Sequence, residues 1–264
     1  MCLASSTNIS KRQFFASLFN VLQSRPLALN CSLICLQITN TVRIRMLFYK
    51  IYEVVGPIIL FPLALILWWS TSQNDITVTF YAVGMPVAVA FLIPYIGIRL
   101  LHIWEIRSPH SNKGFRPHHG FMFGSATSVI CWIVYKLYLQ IPLSDSSWLF
   151  PIILGITIGL INFIFDMFAI SRGVLVVFNK SYSLGKSAFH ISLQYAPIFF
   201  ASFGIAYGFE LQRLINTIND PDSVSSYGRM LISILISPMS TEIFHWIFYG
   251  ESSLKSYKRL SETN

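Results

Sequence analysis

Acidic residues are scarce and unevenly placed. The 264-residue chain has 11 Asp and Glu, and none precedes Glu53. Charged residues of both signs make up only 11% of the chain, against about a quarter in a soluble globular protein. That shortage leaves too little polar surface to face water. The four cysteines, Cys2, Cys31, Cys35 and Cys131, form no CxxC; three lie in the N-terminal tail, expected inside, and one in an apolar run, so reduced thiols and no disulfide framework are expected. Palmitoylation of Cys2 or of the Cys31/Cys35 pair is the functional alternative to inert thiols. There is no G-x-S-x-G, no HExxH and no HxxxH or HxxHH box. Gly185-Lys186-Ser187 lacks the upstream glycine of a phosphate loop. Nothing supports nucleotide hydrolysis.

What the chain has instead is apolar length. It is 54% hydrophobic, with a mean hydropathy of +0.58. Its 22 Phe, 12 Tyr and 6 Trp suit a lipid-facing surface and membrane interfaces. Six apolar runs are readable, at about Val54 to Trp69, Ile76 to Leu101, Phe121 to Leu139, Trp148 to Ile170, Phe189 to Phe209 and Arg229 to Tyr249. The expected fold is all-α: a polytopic membrane helix bundle of about six transmembrane helices over 46–250. It is flanked by an acid-poor basic tail at 1–45 and a basic tail at 251–264. The first tail has the composition of an organelle targeting segment, of an inside anchor, or of an extension ahead of a start at Met46. Gly84, Pro86, Pro94 and Gly97 predict a kinked second span. Gly155 and Gly159 predict close helix approach, which allows a homo-oligomer. The apolar patch 174–178 is too short to span and is expected at the interface. No repeat relates the first three spans to the last three.

Orientation follows from the cations. With both termini on the cytoplasmic side, every Lys and Arg except Lys136, Arg213 and Arg229 falls inside, the pattern of the positive-inside rule. The formal charge of +8 is thereby topogenic. Lipid headgroups, and no nucleic acid, are its expected partners.

The same topology gathers chemistry on one side. All six histidines fall inward. Four lie in His102–His119, a loop that also holds Glu105, Arg107, Lys113 and Arg116. Asp166 lies about four residues from the inner end of its span, roughly 6 Å at helical rise. Glu242 and His245 have the Glu-x-x-His spacing that lets two side chains aim at one metal, and His102 and Glu105 repeat it in reverse. An ionisable residue inside a span faces the bundle interior or a wet cavity. The catalytic expectation is therefore His102, Glu105, His118, His119, Asp166, Glu242 and His245. His102, His118, His119, Glu242 and His245 are candidate ligands for iron or zinc, and Arg99, Arg107 and Arg116 would hold a headgroup or phosphate. The leading functional expectation is a membrane-embedded enzyme acting on a lipid or isoprenoid, with acid–base work as its metal-free form. The alternatives are a small ion- or proton-coupled transporter or channel, and a non-catalytic scaffold or assembly factor. Arg99 and His245 are the expected partners of the buried acids if these only form ion pairs.

The topology is checked by reporter tags. Tags at Gln73 and Asp145 are expected outside, and tags at Asn112, Tyr182 and the C-terminus inside. One inverted site breaks the six-span scheme.

Overall fold

The computed structural model describes residues 54–107, 111–116, 118–141, 148–217 and 223–258. The readings made for 1–45, for His110 and for the N-terminal cysteines lie outside these residues. Helix α1 (Gly56–Thr71) opens with a π turn, and α2 (Ile76–Leu100) contains two. Then come β1 (Trp104–Ile106), α3 (His119–Tyr138), α4 (Leu149–Ser171) and β2 (Leu175–Val177). A short α5 (Lys180–Ser183) leads to α6 (Ala188–Leu193), α7 (Ala196–Asn216) and α8 (Ser223–Tyr249). Among the described residues, α2, α3, α4 and the 188–216 pair are long and apolar enough to cross a membrane; α1 is apolar but shorter. The chain is thus mainly helical and has the composition of an integral membrane protein.

Two departures from the sequence reading matter for the site. The apolar patch at 174–178 is a strand: β2 pairs antiparallel with β1, Glu105 opposite Val176, and Val176 and Phe178 are buried. Partnering by a segment seventy residues away carries no local signal. The expected fifth span is also interrupted, by a turn at Gln194–Tyr195 between α6 and α7.

Helices α4 and α7 form the most extensive contact in the bundle. A Cβ on Gly204 would sit 2.8 Å from the Cα of Gly155, and one on Gly159 would meet Ala201 and the carbonyl of Pro197. Small residues therefore set the approach, as the glycine pair predicts. The kink expected in α2 takes the form of π turns at Phe80–Gly84 and Ile96–Leu100. Pro86 has no N–H to give the carbonyl of Ala82, four residues back. That carbonyl instead accepts Ser128 Oγ from α3 at 2.8 Å and Tyr207 Oη from α7 at 2.5 Å. Trp68 of α1 donates its indole N–H to the carbonyl of Ser128 at 3.0 Å. One proline thus leaves a buried acceptor around which four helices are tied.

Tyr207→Phe and Ser128→Ala are each expected to lower stability by about 1 kcal/mol. The double variant should lose more than the sum, because the Ala82 carbonyl then has no side-chain donor. Thermal unfolding in detergent reads the three values, and strict additivity refutes the shared-acceptor account.

Candidate functional site

The ends of α2, α4 and α8 and the starts of α3 and α6 are joined by a cap built from strands, turns and the C-terminal tail. Gly173, at φ +67, turns the chain out of α4 in a conformation that suits glycine. Beyond β2, Phe178 donates its N–H to the carbonyl of Ile103 at 2.8 Å, and Arg107 donates to the carbonyl of Val174 at 2.8 Å. Gly250, at φ +67, ends α8 and sends the tail back over the cap. There Ser256 Oγ donates to the carbonyl of His102 at 2.7 Å. Tyr257 N–H donates to the carbonyl of Phe178 at 2.7 Å.

The carboxylates predicted as catalytic largely hold this cap together. Glu242 accepts from Ser253 N–H at 2.8 Å, Ser253 Oγ at 2.5 Å and the indole of Trp246 at 2.9 Å. It is the clamp on the returning tail. Glu105 pairs with Arg107 at 2.7 Å and Lys258 at 3.8 Å. Glu251, an acid the sequence reading passed over, gathers Tyr257 Oη, Lys180 at 3.6 Å and Lys255 at 3.9 Å. The Tyr257 hydroxyl bond, then the two lysines, hold the carboxyl of Glu251 below the ordinary glutamate range.

The histidines do not converge either. His102, at φ +52, has an exposed side chain and contributes its backbone carbonyl to the tail. His118 precedes α3 at the cap position, half-buried. His119 is buried among rings, 4.5 Å from Phe123 and 6.3 Å from Trp104 between centroids. His245 is buried on α8, its Nε2 3.0 Å from the carbonyl of Gln194. Glu242 and His245 thus have the right spacing, but the Glu242 oxygens and His245 Nε2 are engaged by different partners. Among the described residues no group of three or more His, Cys, Asp or Glu side chains is placed to hold a metal. The candidate iron or zinc ligands therefore do not fit a common centre there. Of the arginines expected to bind substrate, Arg116 is fully buried, Arg99 is half-buried and Arg107 is held by Glu105.

One predicted residue faces the bundle interior, with a partner other than those expected. Asp166 is buried on α4, on the stripe that carries Gly155, Gly159 and Asn162 toward the neighbouring helix. Its Oδ2 accepts the Tyr195 hydroxyl at 2.6 Å, and among the described residues no cation pairs with it. Neither Arg99 nor His245 is its partner. Tyr195 escaped the sequence reading because it stands inside an apolar run. Its signal was Pro197, which cannot donate to the carbonyl of Leu193 and so marks a helix start. The break sends two successive residues to two helices. Tyr195 reaches α4, and the carbonyl of Gln194 meets α8. The side chain of Gln194 also accepts the N–H of Ser181, at 3.3 Å.

The fold and this site define the class: a helical integral membrane protein with a buried carboxyl–phenol pair at a helix discontinuity. Comparison with family models, with curated proteins and with solved structures finds no match.

The tail contacts give a pH prediction. The folded carboxyl of Glu251 sits below its ordinary value. Its contribution to tail docking is therefore complete above the ordinary glutamate range and lost as pH falls through the depressed value. A nitroxide on Leu254→Cys is expected to be immobile at neutral pH and mobile in acid. With Glu251→Gln it should be mobile throughout, and an acid transition that persists there would assign the effect to another group.

Proposed function

We propose that the chain crosses the bilayer six times with both termini on the cytoplasmic side, and that it carries protons as a small proton channel or proton-coupled transporter. The observation that carries this reading is Asp166, a carboxyl buried in a spanning helix and hydrogen-bonded to Tyr195 at a break in a second helix. Lipid penalises an ionisable side chain, so one retained there marks a pathway. Broken helices inside membranes expose backbone groups that receive ions and protons. A carboxyl and a phenol in contact can hold and exchange one proton without a metal.

The transport reading needs polar groups through the whole depth of the bundle. The outer halves of the fourth and sixth spans offer no ionisable side chain apart from Arg229, at the start of the sixth. The polar groups come from other helices, as hydroxyls and carbonyls. Ser72 and Thr79 lie 3.0 Å apart at the outer turn, and Gln212 donates to Tyr138 at 3.2 Å. Tyr207, Ser128 and the carbonyl of Ala82 form a second polar group, and Asn162, whose amide donates to the carbonyl of Ile158, lies one turn from Asp166 on α4. The enzymatic reading needs the loop histidines and Glu242 at one centre, and these residues are dispersed over the cap.

Purified protein in vesicles with an entrapped pH dye tests the proposal. An imposed potential is expected to drive proton uptake well above that of empty vesicles. Asp166→Asn should abolish it, and Tyr195→Phe should slow it. Wild-type vesicles no faster than empty ones would defeat the proposal. An Asp166-dependent change in cellular lipids would then assign the pair to acid–base chemistry on a lipid or isoprenoid.

A further inference from the structure

We infer that His245 is the group through which the proton held by Asp166 and Tyr195 exchanges with the inner side of the membrane. The inference rests on the proton-carrying role proposed above and adds the inner leg of the route.

The break between α6 and α7 is the starting point. Within hydrocarbon, a helix that stops leaves carbonyls that no water can satisfy. The carbonyl of Gln194 is met by His245 Nε2 from α8 at 3.0 Å. A carbonyl only accepts, so Nε2 carries the hydrogen. The second nitrogen, Nδ1, is left as the site where the ring can gain and lose a proton. It is buried and makes no hydrogen bond. Satisfying one carbonyl does not require imidazole. An amide side chain would do so too, but unlike imidazole it has no second atom that can gain and lose a proton. The hydroxyl of Ser192, two residues before Gln194, is also buried and makes no hydrogen bond. It can both give and accept a proton along the same segment.

Position supports the assignment. Gln194 and Tyr195 are consecutive, so the His245 contact and the Asp166 contact leave from one turn of chain. His245 is one turn before the end of α8 at Tyr249. Its ring packs 5.0 Å from that of Tyr249. The charged groups that bear on it are Glu242, one turn away, and Glu251, just beyond the helix end. The proton balance closes without a co-reactant. The acid form of Asp166 gives up a proton by way of the Tyr195 hydroxyl. Nδ1 takes one up, making an imidazolium whose Nε2–H stays on Gln194. Nδ1 then releases it to the inner solution, and the ring returns to its starting tautomer.

The test uses full-length protein in the pH-dye vesicles. His245→Gln keeps a donor for the Gln194 carbonyl but cannot carry a proton. It is expected to slow uptake about tenfold, to flatten the dependence of rate on inner pH, and to keep the wild-type thermal transition. Imidazole added on the inner side should restore the rate. Uptake and pH profile unchanged in His245→Gln, with Asp166→Asn inactive, would overturn the inference and leave the Asp166 reading standing. A slow variant with a collapsed thermal transition and no imidazole rescue would make His245 a structural tie, and also overturns it. Wild-type protein without uptake removes the underlying proton-carrying reading itself.

Discussion

Hydrocarbon offers no hydrogen bonds, so a backbone carbonyl freed inside an apolar bundle is stabilised when the protein itself supplies a donor. That constraint accounts for the contacts on which the fold turns. Pro86 withholds an N–H from Ala82, and the stranded carbonyl is taken by Ser128 and Tyr207. The stop at Gln194 strands another carbonyl, taken by His245. Asp166 is met by Tyr195. The interruptions at Pro86 and Gln194 are thereby converted into ties between helices. Without these acceptors, the apolar faces of α2, α7 and α8 would have little to fix their rotation against one another, since lipid competes equally well for apolar surface.

The cap follows a different logic: it is held by charge and backbone hydrogen bonds. Glu105 and Glu251 each take a lysine from a segment distant in sequence, Glu242 takes the turn at Ser253, and the two short strands supply the frame. These acids also neutralise part of a strongly cationic surface, in which Lys180, Lys255 and Lys258 are engaged by carboxylates. Exposed pairs of this kind contribute little singly. Their number, with the tail hydrogen bonds to His102 and Phe178, closes the end of the bundle.

The fate of the histidine-rich loop shows why residue spacing is a poor guide to a centre. Glu242 and His245 do project from neighbouring positions of one helix, yet the first turns to the tail and the second to a carbonyl of α6. His102 and Glu105 keep their spacing, but a positive-φ residue followed by a strand replaces the helix that would have aligned them. Among the described residues, side-chain direction, set by backbone and neighbours, keeps these groups from sharing one ligand set.

Much of the architecture is written in the chain. The scarcity of charge, the apolar runs and the glycine pair Gly155/Gly159 specify long helices in a membrane and the close approach of two of them. These are one-dimensional properties, because hydrophobicity and side-chain size act wherever the residue is placed. The need of Asp166 for a partner was also legible, because an acid in a span has no other refuge. Its partner was not. The contact of Tyr195 with Asp166, the pairing of β1 with β2, the fold-back of the tail onto His102 and Phe178 and the tie from His245 to Gln194 all join residues remote in sequence. Hydrogen bonds are short and directional, and only the packed chain brings their ends within reach.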